Sequence, residues 1–132
     1  MMVRLLILAG LGLFIAVAIL ILRRYFRNAT YPSRFDVSDV GEAGRSGLLV
    51  EFVSPFCYEC KEALPLLKAA SKIYGTPLKI VDAKTSPELL MKYSIRHTPT
   101  ILVVDRSGAV RRGWLGVPPE DELEAALIRA AA

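Results

Sequence analysis

The two cysteines are the residues of this chain best suited to chemistry, because only two residues separate Cys57 from Cys60. Two thiols at this spacing can form one intramolecular disulfide and release it again. The alternative is a permanent structural crosslink, but closing so short a loop removes little conformational entropy from the unfolded chain. The spacing therefore predicts thiol–disulfide exchange.

The residues around the cysteines bear on the reactivity of the thiols. A helix is predicted to start at Cys57, and the free N–H groups of a helix amino terminus favour a thiolate there. Lys61 adds to this effect, whereas Glu59 opposes it by placing a carboxylate near the sulfur. We expect a modestly activated nucleophile and a reducing disulfide. Phe56 and Tyr58 flank the nucleophile, either as an apolar docking rim for a substrate or as packing side chains.

Short apolar runs separated by Gly, Pro and polar residues predict an α/β domain around this pair. A buried strand precedes Cys57, and a second strand follows the helix. A β–α–β unit followed by an antiparallel hairpin and a last helix predicts a mixed four-stranded sheet with helices on both faces. The predicted strands are 48–53, 78–81, 100–104 and 109–114, and the predicted helices are 57–73, 87–93 and 120–131.

From about Leu48 to Ala131 the order and spacing of these features resemble the thioredoxin family. The pair opens a helix after the first core strand, a proline follows five residues after the second cysteine, and a Thr-Pro-Thr segment precedes the third strand. Glycines lie in the hairpin turn and before the last helix. The residues that carry the resemblance are Cys57, Cys60, Lys61, Pro65, Thr98, Pro99, Thr100, Gly108 and Gly116.

The resemblance implies a thioredoxin-like fold and a role for each site residue. Cys57 would attack the substrate and Cys60 would resolve the mixed disulfide. Glu51, six residues before Cys57, would be a buried carboxylate with a raised pKa that takes the proton of the resolving thiol. A cis Pro99 would set the backbone of Thr98 against the substrate chain. The alternatives are a Glu51 that points outward at a strand edge and an ordinary trans proline.

Two further features of the family map less directly onto this chain. Lys79 is a candidate for a lysine that the family keeps near its buried acid, with a register uncertain by one residue. The first helix of the family is missing or reduced to a turn near Val40–Arg45.

A metal or cofactor site is not predicted. Structural zinc needs four ligands, and the chain offers only two cysteines and one histidine, His97. Nucleic acid is also an unsuitable partner. The formal charge is +4, but no Asp or Glu precedes position 35, so the five arginines before Phe35 account for the excess. The remainder has no basic stripe with interleaved aromatic residues.

An apolar run from Leu5 to Leu22 contains no charge and no proline. Its length suits a single transmembrane helix, and the segment Arg23–Arg27 that follows resembles an interfacial anchor. A secretory signal peptide is the alternative. We therefore divide the chain into an anchor at 1–27, a linker at 28–46 with one short strand near Phe35–Val37, and a thioredoxin-like domain at 47–132.

These features together predict a membrane-tethered thiol–disulfide oxidoreductase. Its partners would be protein disulfides or dithiols near the bilayer and an unidentified electron donor or acceptor. Arginines are more numerous after the apolar run than before it, which predicts a cytoplasmic domain; an extracytoplasmic domain is the alternative. A redox-inactive binding or scaffold module of a membrane complex is the alternative function.

Overall fold

A computed structural model of the chain describes residues 1–29, 31–41 and 44–132, with side chains up to residue 25 in the first range. The chain divides into two compact units, Met1–Thr30 and Tyr31–Ala132. The turn predicted near Val40–Arg45 includes positions 42 and 43, which lie outside the described residues. The side chain of Arg27 lies outside them as well.

The first unit is a single helix, α1, which spans Met2–Ala29. Its segment Met2–Tyr25 has a mean hydropathy of 3.1 and is long and apolar enough to cross a membrane. At about 1.5 Å per residue it measures roughly 36 Å, against roughly 30 Å for a bilayer core. A signal sequence satisfies the same criteria of length and composition.

The second unit contains a four-stranded sheet with the strand order β2-β1-β3-β4. Strand β1 is parallel to β2 and antiparallel to β3, and β3 is antiparallel to β4. This mixed sheet confirms the predicted fold class. Its strands are β1 (Leu48–Val53), β2 (Leu78–Asp82), β3 (Thr100–Val104) and β4 (Val110–Leu115), and its helices are α2 (Tyr58–Tyr74), α3 (Pro87–Lys92) and α4 (Glu120–Ala131).

One face of the sheet is covered by α2 and α4. Leu67 of α2 and Leu127 of α4 are fully buried in one cluster with Leu49 and Ile101 of the central strands. Because side chains alternate along a strand, every second residue of β1 and β3 points to this face.

The other face of the sheet is covered by α3 and by the chain that precedes β1. Phe35 is 2% exposed, and its ring stacks on that of Tyr93 with centroids 4.6 Å apart. The short strand predicted over Phe35–Val37 is wrong. An isolated β-bridge joins Arg34 to Ala109, and a 3₁₀-helix spans Val37–Val40, so Phe35 reaches the core from irregular backbone.

Candidate active site

Cys57 and Cys60 are joined by a disulfide at the amino terminus of α2, with their Cα atoms 5.3 Å apart. Cys57 is the N-cap of the helix, and its sulfur accepts a hydrogen bond of 3.2 Å from the backbone N–H of Cys60. An N-cap side chain satisfies one of the unpaired N–H groups of the first turn. The same N–H group can stabilise a thiolate at Cys57 after reduction of the disulfide.

The two cysteines differ in their access to solvent. Cys57 is half-buried, whereas Cys60 is only 6% exposed because it lies one turn into the helix against the sheet. Exchange requires the attacking thiolate to reach a sulfur of the partner. The geometry therefore suits Cys57 for attack on an external disulfide and Cys60 for attack on Cys57.

Glu51 lies on the central strand β1 and is fully buried. It shares the α2 face of the sheet with Leu49, and it pairs in register with Ile80 on one side and Ile101 on the other. An outward position at a strand edge, the alternative from the sequence, does not fit this placement. Lys79 pairs with Val50 and so belongs to the opposite face, which makes it unsuitable as a neighbour of this acid.

The Glu51 carboxylate has no hydrogen-bond partner for either oxygen within the described ranges. Burial disfavours its charged form and raises the pKa of Glu51 from 4.5 to about 7. A carboxyl group with this pKa exchanges a proton readily at neutral pH, as a general acid or base requires.

The Thr98–Pro99 peptide bond is cis, and Pro99 is buried at the start of β3. Two hydrogen bonds hold this segment in place. The hydroxyl groups of Ser54 and Thr98 share a bond of 2.6 Å, and the backbone N–H of Gly116 donates to the Pro99 carbonyl oxygen at 2.8 Å. These bonds connect the loop before Cys57 and the turn after β4 to the Thr98–Pro99 segment.

Ser54 is the residue of this region whose contact the sequence does not predict. It is 44 positions away from Thr98 in the chain, and no spacing rule connects the two. Only the folded sheet brings the end of β1 beside the start of β3.

Phe56 and Tyr58 are both exposed, Phe56 completely and Tyr58 by 79%. The packing alternative does not fit these side chains. Phe56 also has a φ of +63°, a left-handed conformation that is rare for a bulky residue and that clusters at functional sites. Two exposed aromatic rings therefore flank Cys57 in the chain, and exposed apolar patches often mark sites of protein contact.

Comparisons with known proteins agree with this geometry. A family model described as Thioredoxin matches residues 32–129. Thioredoxin of Porphyra purpurea is 30% identical over 82 residues, which cover 61% of this chain and 76% of the relative. Thioredoxin C-2 of Corynebacterium nephridii is 32% identical over 80 residues, which cover 59% and 73%. The solution structure of oxidised thioredoxin from Plasmodium falciparum is 28% identical, with a TM-score of 0.53 and coverage of 64% and 81%.

Proposed function

Because this chain belongs to the thioredoxin family and is a thiol–disulfide oxidoreductase, we propose that it exchanges disulfides with protein substrates while tethered to a membrane by α1. The observation that carries the proposal is the Cys57–Cys60 pair at the start of α2, in which Cys57 is half-buried and Cys60 is buried. Glu51 lies on the sheet face that α2 covers, and its carboxylate has no hydrogen-bond partner among the described residues. The apolar surface of α1 supports the tether.

In this proposal the exchange proceeds in two steps that transfer one electron pair. The Cys57 thiolate attacks a substrate disulfide, forms a mixed disulfide and releases one substrate thiolate. Glu51 accepts the proton of the Cys60 thiol, directly or through water. The Cys60 thiolate then attacks the Cys57 sulfur, which forms the Cys57–Cys60 disulfide and releases the second substrate thiolate. The protein dithiol is oxidised and the substrate is reduced.

The segment around Pro99 would hold the substrate chain during both steps. The hydroxyl bond between Ser54 and Thr98 and the bond from the Gly116 N–H to the Pro99 carbonyl oxygen hold this segment in place. An extended substrate segment could pair with the backbone of the half-buried Thr98 in the manner of an added β-strand. Phe56 and Tyr58 would supply apolar contacts on either side of the attacking sulfur.

Reduction of insulin disulfides tests the proposal. The full chain in detergent micelles, with dithiothreitol as electron source, should accelerate insulin reduction, and Cys57→Ser should abolish the acceleration. The variant Cys60→Ser should accumulate a stable mixed disulfide through Cys57, because the resolving thiol is gone. A wild-type rate equal to that of dithiothreitol alone would contradict the proposal. Partners retained equally by a variant lacking both cysteines would instead indicate a binding module.

A further inference from the structure

Glu59 lies between the two cysteines and beside the turn at Gly116, which is itself hydrogen-bonded to Pro99. It is one of the two residues between the cysteines, and its side chain reaches the turn after β4. A methyl group added at Gly116 would lie 3.3 Å from the Glu59 Oε2 atom. The N–H of Gly116 is also bonded to the carbonyl oxygen of Pro99. The carboxylate of Glu59 is therefore close to the backbone that would hold a substrate.

Among the described residues, no cation forms an ion pair with the Glu59 carboxylate. Glu59 is exposed, and the three ion pairs among the described residues join other side chains. Lys61, two residues further along α2, points away because side chains at that spacing lie on different sides of a helix. Arg96 and His97 are exposed in the loop before Thr98. A substrate would thus meet the negative charge of Glu59 beside Gly116 and the positive charge of Arg96 before Thr98.

We propose that Glu59 determines substrate specificity, by selecting disulfides in which a Lys or Arg flanks the attacked cysteine. The proposal rests on the proposed function. The alternative is that Glu59 is a solvated surface carboxylate with no effect on the choice of substrate. Against it, the Glu59 Oε2 atom lies only 3.3 Å from the position that a Cβ atom at residue 116 would occupy, so the carboxylate lies beside the turn that carries the Pro99 hydrogen bond.

The physical effect is a charge pair formed only when a basic substrate is bound. Exposed ion pairs of this kind contribute modestly, so we expect a roughly two- to fivefold preference in kcat/KM. Screening lengths fall from about 30 Å at 0.01 M salt to about 3 Å at 1 M. The preference should therefore disappear in concentrated salt.

The test uses a set of short peptides, each closed by one disulfide, that differ only in the neighbours of a cysteine. One peptide has Lys before the cysteine, one has Lys after it, and a third has Glu at both positions. The full chain in detergent micelles reduces them with dithiothreitol as electron source. Glu59 also influences the Cys57 thiolate, but that influence acts on all peptides alike and cancels in the ratio of their kcat/KM values.

We expect at least one Lys peptide to be preferred over the Glu peptide by the wild-type chain. Glu59→Gln should bring this ratio close to one, and Glu88→Gln, which removes an equal charge from the exposed surface of α3, should leave it unchanged. Equal rates for all peptides in the wild type, or a preference that survives Glu59→Gln, would overturn the inference and leave the exchange function intact. Failure to reduce any peptide would overturn the proposed function itself.

Discussion

At the scale of single residues, Glu51 makes the stability of the oxidised protein depend on pH. Its pKa rises from 4.5 to about 7 because burial disfavours the carboxylate. Between these two values the folded state binds more protons than the unfolded state, so the free energy of unfolding falls as pH rises. The full effect is about 3 kcal/mol, reached near pH 7 and absent below about pH 4.5.

Glu51→Gln should remove this loss, because the amide stays neutral throughout the range. The measurement is denaturant unfolding of both oxidised proteins from pH 4.5 to 8, followed by the fluorescence of Trp114, the only tryptophan. The two proteins should differ in slope across this window. Parallel pH profiles would show that Glu51 does not titrate there.

In exchange assays near pH 7, the same variant should slow the release of the second substrate thiolate.

Ser54 is a second single residue with a specific role, because it positions the segment that would hold the substrate. Its hydroxyl shares a bond of 2.6 Å with Thr98, and a bond of this kind contributes about 1 kcal/mol. Ser54→Ala should raise KM for insulin by about three- to fivefold with little change in kcat, since uniform binding is weakened. Ser54→Thr keeps the hydroxyl and should restore KM. An unchanged KM in Ser54→Ala would remove the assigned role.

At the scale of elements, the segment before β1 completes the core on the α3 face. The buried ring of Phe35 stacks on Tyr93, and the Tyr93 hydroxyl donates to Asp39 and accepts from the Asp36 N–H. Phe35→Ala should lower the free energy of unfolding by about 3–5 kcal/mol through the cavity it leaves. Phe56→Ala is the matched control and should change it by less than about 0.5 kcal/mol. Equal effects would contradict this account of the packing.

The same segment shows what the sequence could not predict. The strands and helices from Leu48 onward agree with their predicted bounds to within a residue or so, because apolar runs bounded by Gly and Pro encode them locally. The Tyr31–Val40 segment has no such periodicity. Its position is fixed by hydrogen bonds that the Asp36 N–H and the Asp39 side chain make with the Tyr93 hydroxyl, more than 50 residues away in the chain. Local pattern gave no signal for these contacts, just as it gave none for the bond between Ser54 and Thr98.

At the scale of the whole molecule, the behaviour of α1 determines whether exchange takes place at a membrane. Its large apolar side chains are exposed along its length, and their burial in lipid would be strongly favourable at about 25 cal/mol per Å². We expect the full chain to remain in the membrane fraction after alkaline carbonate extraction. Deletion of residues 2–27 should release the protein. A mature chain shorter than the full 14.5 kDa would identify a cleaved signal peptide and contradict the tether.

For a protein tethered as proposed, the side of the membrane would determine whether the pair reduces or oxidises its partners. Arg4 precedes the apolar run, whereas Arg23, Arg24, Arg27 and Arg34 follow it, and loops rich in arginine stay in the cytoplasm. A cytoplasmic site would meet a reducing thiol pool and act as a reductase. Alkaline phosphatase fused to the carboxyl terminus should therefore be inactive in a bacterial host, and Gln at positions 23, 24 and 27 should weaken this orientation. An active wild-type fusion would place the cysteines outside, among oxidising partners.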